Sequence, residues 1–156
     1  MDEVTSLPLP LKMVVHWWVK IFSVFGIIFG LGIAVMVFLS GQAILVALGF
    51  ILFTLLSIYM LISANSRIDI DQNAITVSLP PEGVYRMYLK DVQYVETNGE
   101  RFAFVGDGKY LVFLLGFAYS GKREFLAFFE NFVKERQLEV KPLSSLWLKQ
   151  KNTKVS

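Results

Sequence analysis

Two apolar runs, Ile21–Leu39 and Ala43–Ile62, are separated only by Ser40-Gly41-Gln42, and neither contains a charged residue. At 19 and 20 residues, each reaches about 30 Å as a helix, the thickness of a bilayer's hydrocarbon core. So short a connection forces the two helices to be antiparallel. The chain is therefore expected to be an integral membrane protein built on a helical hairpin. No Ala-x-Ala-like cleavage site precedes the second run, so both spans are expected to be retained rather than removed as a signal peptide.

Of 156 residues, about ninety lie outside the hairpin and its flanks, enough for one small core. The boundaries expected are 1–20 for a lead-in and interfacial anchor, 21–63 for the transmembrane hairpin, 64–140 for a β domain with a C-terminal helix, and 141–156 for a basic tail. A net charge of +2 is too weak to argue for nucleic acid. Cysteine is absent, which removes disulfides, thiol nucleophiles and thiolate metal sites.

Before the first span, Trp17 and Trp18 fit an aromatic belt, and Lys12 and Lys20 can extend their ammonium groups toward headgroups. His16, the only histidine, invites reading as an axial ligand to haem or chlorophyll. With no second histidine to complete a pair, an interfacial residue beside two tryptophans is the favoured reading. Within the first span, Gly26-Ile-Ile-Phe-Gly30 places two glycines on one helix face, where another backbone can approach closely. That face can pack against the second span or dock a partner's transmembrane helix, and both readings stand. Thr54 and Ser57 can return their hydroxyls to the helix backbone. Neither span carries Asp, Glu, Lys or Arg, which argues against transport. Lys12, Lys20 and Arg67 flank the hairpin while its turn has no basic residue, so the positive-inside rule puts both termini and the soluble domain on the cytoplasmic side or its equivalent.

From Ser66 the pattern shortens. Arg67–Asp71, Ala74–Leu79, Val84–Leu89, Asp91–Glu96, Arg101–Val105 and Lys109–Leu115 read as six strands. Asp71-Gln-Asn73, Asn98-Gly99 and Gly106-Asp-Gly108 serve as turns, which implies an antiparallel meander or barrel. Phe125, Leu126, Phe128, Phe129, Phe132 and Val133 then recur at helical spacing, with Ser120 as expected N-cap. Leu138–Val140 extends beyond that helix. The fold class is thus α+β: a two-helix transmembrane hairpin followed by a β-meander capped by one amphipathic helix.

Chemistry is sparse. No Ser-His-Asp or Cys-His set exists, and Gly106-Asp-Gly-Lys109 lacks the spacing of a phosphate loop. Asp69 and Asp71 suggest an exposed edge before a metal. No cofactor is expected, and the protein is expected not to be an enzyme. The tail carries Leu146-Trp147-Leu148 with Lys149, Lys151 and Lys154. It fits an anionic membrane surface, a partner-binding arm or a solvated tail. Gly26, Gly30, Trp17, Trp18, Trp147, Lys149, Lys151 and Lys154 are the candidate partner or membrane contacts.

Arg67-Ile-Asp-Ile with Ala74-Ile-Thr-Val, Tyr88-Leu-Lys-Asp-Val-Gln-Tyr-Val-Glu96 and Arg123-Glu-Phe-Leu-Ala-Phe-Phe, hung from a two-span hairpin, resemble the bacterial pleckstrin-homology-like membrane proteins. Phe113-Leu-Leu-Gly-Phe before Lys122-Arg-Glu-Phe is similar to small thylakoid proteins of the same plan. The resemblance implies a pleckstrin-homology-like (PH-like) domain and a non-enzymatic scaffold or assembly factor. In the thylakoid branch it implies photosystem II assembly, with membrane lipids and subunits of a membrane complex as partners. Phosphoinositide binding, common in eukaryotic domains of that fold, is not expected from the acidic Arg67-Ile-Asp-Ile-Asp71. The rival reading is a lipid-sensing or stress-response protein at the membrane surface.

Overall fold

The computed structural model describes residues 9–41, 44–116 and 118–143. They form two compact units: Val15–Ser66, and the described residues on either side of it.

The first unit is an antiparallel hairpin of α1 (Trp17–Leu39) and α2 (Ile44–Ser63). Helix α1 begins four residues before the uncharged run, because Trp17-Trp18-Val19-Lys20 continues the same helix. Ser40 closes it by donating its N–H to the Met36 carbonyl, and Gly41 takes the left-handed turn conformation at φ 67°. With 23 and 20 residues, the helices run about 34 and 30 Å at helical rise. Both are long and apolar enough to cross a membrane.

The second unit begins where the sequence suggests an irregular lead-in. Leu11–Val14 forms a strand, β1, which pairs antiparallel with β2 (Arg67–Ile70) in the register Leu11↔Ile70 to Val14↔Arg67. The hairpin is thus inserted between two neighbouring, hydrogen-bonded strands. β3 (Ala74–Leu79) and β4 (Gly83–Tyr88) complete a four-stranded antiparallel sheet in the order β1-β2-β3-β4. Asp71 makes the β2–β3 turn: its Oδ1 accepts from the Asn73 and Ala74 N–H groups at 2.8 and 2.7 Å, a side chain standing in for backbone.

A single 3-10 turn, Leu89–Asp91, leads into β5 (Val92–Thr97), so the strand starts later than the alternation suggests. β6 (Arg101–Gly106) and β7 (Lys109–Leu114) follow through the expected Asn98-Gly99 and Asp107-Gly108 turns. Gly106 has to be glycine, because a Cβ there would run into the Asp91 carbonyl oxygen. After α3 (Lys122–Arg136), β8 (Glu139–Pro142) joins the second sheet parallel to β5, in the order β7-β6-β5-β8. A parallel neighbour requires a crossover, and α3 is part of it.

Two features correct the sequence reading. The strands form two separate sheets, and no barrel closes. The residue capping α3 is Gly121 at φ 77°, with no side-chain cap. Ser120 instead braces β1: its N–H and hydroxyl donate to the Val14 carbonyl at 3.0 and 3.1 Å.

Phenylalanines fill the core. Phe125, Phe128, Phe129 and Phe132 of α3 are buried as their spacing predicts, and pack with Phe102, Phe104 and Phe113 of β6 and β7. The Phe102–Phe125 and Phe102–Phe129 pairs meet edge-on at 4.9 and 5.1 Å, the arrangement that ring quadrupoles favour. Met13, Ile68, Ile70, Ile75, Val77 and Met87 bring the inner face of the first sheet into the same core.

Candidate interaction surfaces

Inside the hairpin, α1 presents Ser23, Gly26, Gly30 and Ala34, and α2 presents Ala47, Thr54 and Ser57; all are buried. A Cβ on Gly26 would come within 2.6 Å of Ser57 Oγ. One on Gly30 would strike Thr54 Oγ1 and lie 3.3 Å from the Phe50 carbonyl oxygen. Two glycines one turn apart therefore let the helices touch closely enough for dispersion to hold them. This places Gly26 and Gly30 in the hairpin's own interior rather than on a free face. The hydroxyls behave as the sequence suggests: Thr54 donates to Phe50 O at 2.8 Å and Ser57 to Phe53 O at 3.0 Å. The hydroxyls of this contact are thus satisfied within their own helices.

The outside of the hairpin is the reverse. Phe22 is 69% exposed and Leu45 82% exposed, and Ile28, Met36, Leu52 and Leu55 are also exposed. Trp17 is exposed, Trp18 stacks edge-on with Phe22 at 5.9 Å, and Lys20 Nζ donates to Asn65 Oδ1 at 3.0 Å. That bond joins the start of α1 to the residues just after α2. His16 occupies the N-cap position of α1 without a side-chain cap bond.

On the sheet domain both outer faces carry charged residues. The first sheet carries Lys12, Asp69, Thr76 and Arg86 in one row across its strands. Arg67 pairs with Asp69 at 3.3 Å, so the Asp69 carboxylate serves a surface ion pair. The second sheet's outer face mixes apolar and charged residues: Glu139, Tyr94, Val105 and Tyr110 form one row, and Lys141, Glu96, Ala103 and Val112 the next. Of the candidate contacts read from the sequence, Gly26, Gly30, Trp17 and Trp18 belong to the hairpin instead. The apolar part of this face is legible in Phe102-Ala-Phe-Val105 and Tyr110-Leu-Val-Phe-Leu114, continuous apolar runs where one-sided strands alternate.

Among the described residues no group of three or more His, Asp or Glu is placed to hold a metal ion. Trp147, Lys149, Lys151 and Lys154 lie outside the described residues. The geometry of the described residues defines a two-part protein: an apolar helical hairpin inserted between strands β1 and β2 of a two-sheet domain, with one face of α3 packed on its core. No family model, curated protein or solved structure matches the chain.

Proposed function

We propose that this protein is a non-enzymatic membrane scaffold. Its hairpin crosses the bilayer with both ends on the cytoplasmic side or its equivalent, and its sheet domain grips a subunit of a membrane complex. The observation that carries the proposal is the insertion of the hairpin between β1 and β2. The chain passes between hairpin and domain twice, at Val14–Val15 and at Ser66–Arg67. A partner held by the domain and a neighbour met laterally by the hairpin gain a high effective concentration for each other.

Membrane insertion is supported by the exposed large side chains on both helices, which water would not tolerate over so wide a surface. A pleckstrin-homology-like reading of the domain is supported by an antiparallel sheet of β1–β4, a second sheet containing β5–β7 and a helix after them. Assembly of a photosynthetic complex, photosystem II in a thylakoid membrane, is the specific role proposed. It rests on the likeness around Phe113-Leu-Leu-Gly116 and Lys122-Arg-Glu-Phe125. The test is affinity purification of the full chain from native membranes in mild detergent. Stoichiometric recovery of complex subunits is expected, and recovery of the protein alone would overturn the proposal.

A further inference from the structure

Between Val15 and Ser66 the chain has one lysine, Lys20, and no Asp, Glu or Arg. Among the described residues no carboxylate pairs with the Lys20 ammonium. It donates instead to Asn65 Oδ1 at 3.0 Å. Asn65 is oriented for this by its own Nδ2, which donates to the Leu61 carbonyl at 3.2 Å. An amide oxygen carries no net charge, and an ammonium has three N–H donors. The Lys20 head is thus held at a fixed place on the hairpin with its charge unneutralised and donors to spare.

From this head a shallow groove of about 340 Å³ runs along α1, lined by Lys20, Ile21, Val24, Phe25 and Ile28. Ile21, Phe25 and Ile28 are all exposed, whereas Gly26 and Gly30 are buried against α2. The groove therefore lies on the side of α1 turned away from the helix contact. Lys20 to Ile28 spans about 12 Å at helical rise. One leaflet's share of the hydrocarbon core is about 15 Å, so the groove follows most of it. It is apolar along its length and cationic at its outer end, beside Trp17 and Trp18, which is the reverse image of a lipid with an anionic headgroup.

We propose that α1 carries a site for one anionic phospholipid, an inference that rests on the membrane reading above. The lipid phosphate accepts from the Lys20 ammonium beside Asn65, and one acyl chain lies along Ile21, Val24, Phe25 and Ile28. The stem of Lys20 stays against the apolar groove while its charge meets the headgroup layer. A zwitterionic lipid fills the same groove but brings its own cation to the phosphate, so its net attraction to Lys20 is weaker. The lysine thus selects the headgroup, and the groove selects a chain-bearing lipid over free phosphate.

The test is native mass spectrometry of the full chain in mild detergent with equimolar phosphatidylglycerol and phosphatidylcholine. One phosphatidylglycerol per chain should be retained in several-fold excess, and a dihexanoyl analogue with the same headgroup should not displace it. Lys20→Arg should keep the excess. Lys20→Gln, which retains a donor for Asn65, and Val24→Trp, which fills the groove, should each lower it several-fold with the helix content unchanged by circular dichroism. Lys12→Gln, on β1, should leave it intact. Three results would overturn the inference: equal retention of the two lipids; Lys12→Gln acting as strongly as Lys20→Gln, which assigns retention to diffuse charge; or a dimer that Val24→Trp dissociates, which assigns the groove to a second copy. Resistance to carbonate extraction from vesicles separates the two readings. A chain that inserts without lipid preference removes this site alone, and a chain that does not insert removes the membrane reading with it.

Discussion

The two units are held together in opposite ways. The hairpin puts its smallest side chains inside and its largest outside: glycine, alanine, serine and threonine meet at the helix contact, while phenylalanine, leucine and isoleucine face out. The sheet domain encloses seven phenylalanines and leaves charged residues on its first sheet's outer face. In water the driving force is removal of apolar area, at about 25 cal/mol per Å², so the largest side chains go in. In lipid that force vanishes between helices and close backbone approach replaces it. With the hairpin in a bilayer, as proposed, each unit is built for a different solvent, and the contrast can be broken experimentally at several points.

The largest effect expected is at the seam. Replacing Val15–Ser66 with Asn-Gly joins Val14 to Arg67, which are already cross-strand partners, through a two-residue turn of the favoured kind. A soluble domain with cooperative thermal unfolding should result, checked by circular dichroism. Deleting Leu11–Val14 as well from that shortened chain should abolish the cooperative transition, because Met13 is fully buried and β1 is an entire strand of the first sheet. If the excised domain melts without cooperativity, the two units are not separable as described.

Next in size is the aromatic core. Phe125→Ala should cost about 3–5 kcal/mol in denaturant unfolding of the sheet domain, since Phe125 is fully buried and touches Phe102, Phe113, Phe128 and Phe129. The hairpin should answer to the opposite change. Gly30→Leu should destabilise it by about 1–3 kcal/mol through overpacking, read as loss of a cysteine crosslink between α1 and α2. Gly32→Leu should be silent, because nothing lies within 4 Å of that position. Equal effects at the two glycines would erase the distinction between an inner and an outer face. Smallest is Ser120→Ala, expected to cost about 1 kcal/mol by releasing the brace on Val14, and measurable as a lowered melting temperature of the excised domain.

Much of the fold is legible in the residues themselves. Helix α3 declares itself because Phe125, Phe128, Phe129 and Phe132 repeat at the helical period, and β2 and β3 because Arg67-Ile-Asp-Ile and Ala74-Ile-Thr-Val alternate. What stays hidden depends on contacts that sequence spacing does not encode. Leu11-Lys-Met-Val is four residues long and adjoins an aromatic, basic segment, so its local pattern reads as membrane edge. Only its pairing with β2, on the far side of the hairpin, makes it a strand. The parallel seat of β8 beside β5 is equally non-local. For Gly26 and Gly30 the spacing reveals a close helix contact but not whose helix fills it. Ser120 has the residue type of an N-cap, yet β1 claims its hydroxyl first.

The position of β1 also sets an order on biosynthesis. A ribosome finishes β1 well before β2, with the whole hairpin in between. During that interval β1 has no partner in its sheet, and the strand it needs emerges only after α2. When α1 and α2 close antiparallel, their outer ends return to the same place, and Val14 can meet Arg67. A chain whose hairpin has failed to close therefore leaves its first sheet one strand short, with Ile68 and Ile70 missing a neighbour. Completion of the first sheet therefore depends on the chain between β1 and β2 bringing Val14 back to Arg67.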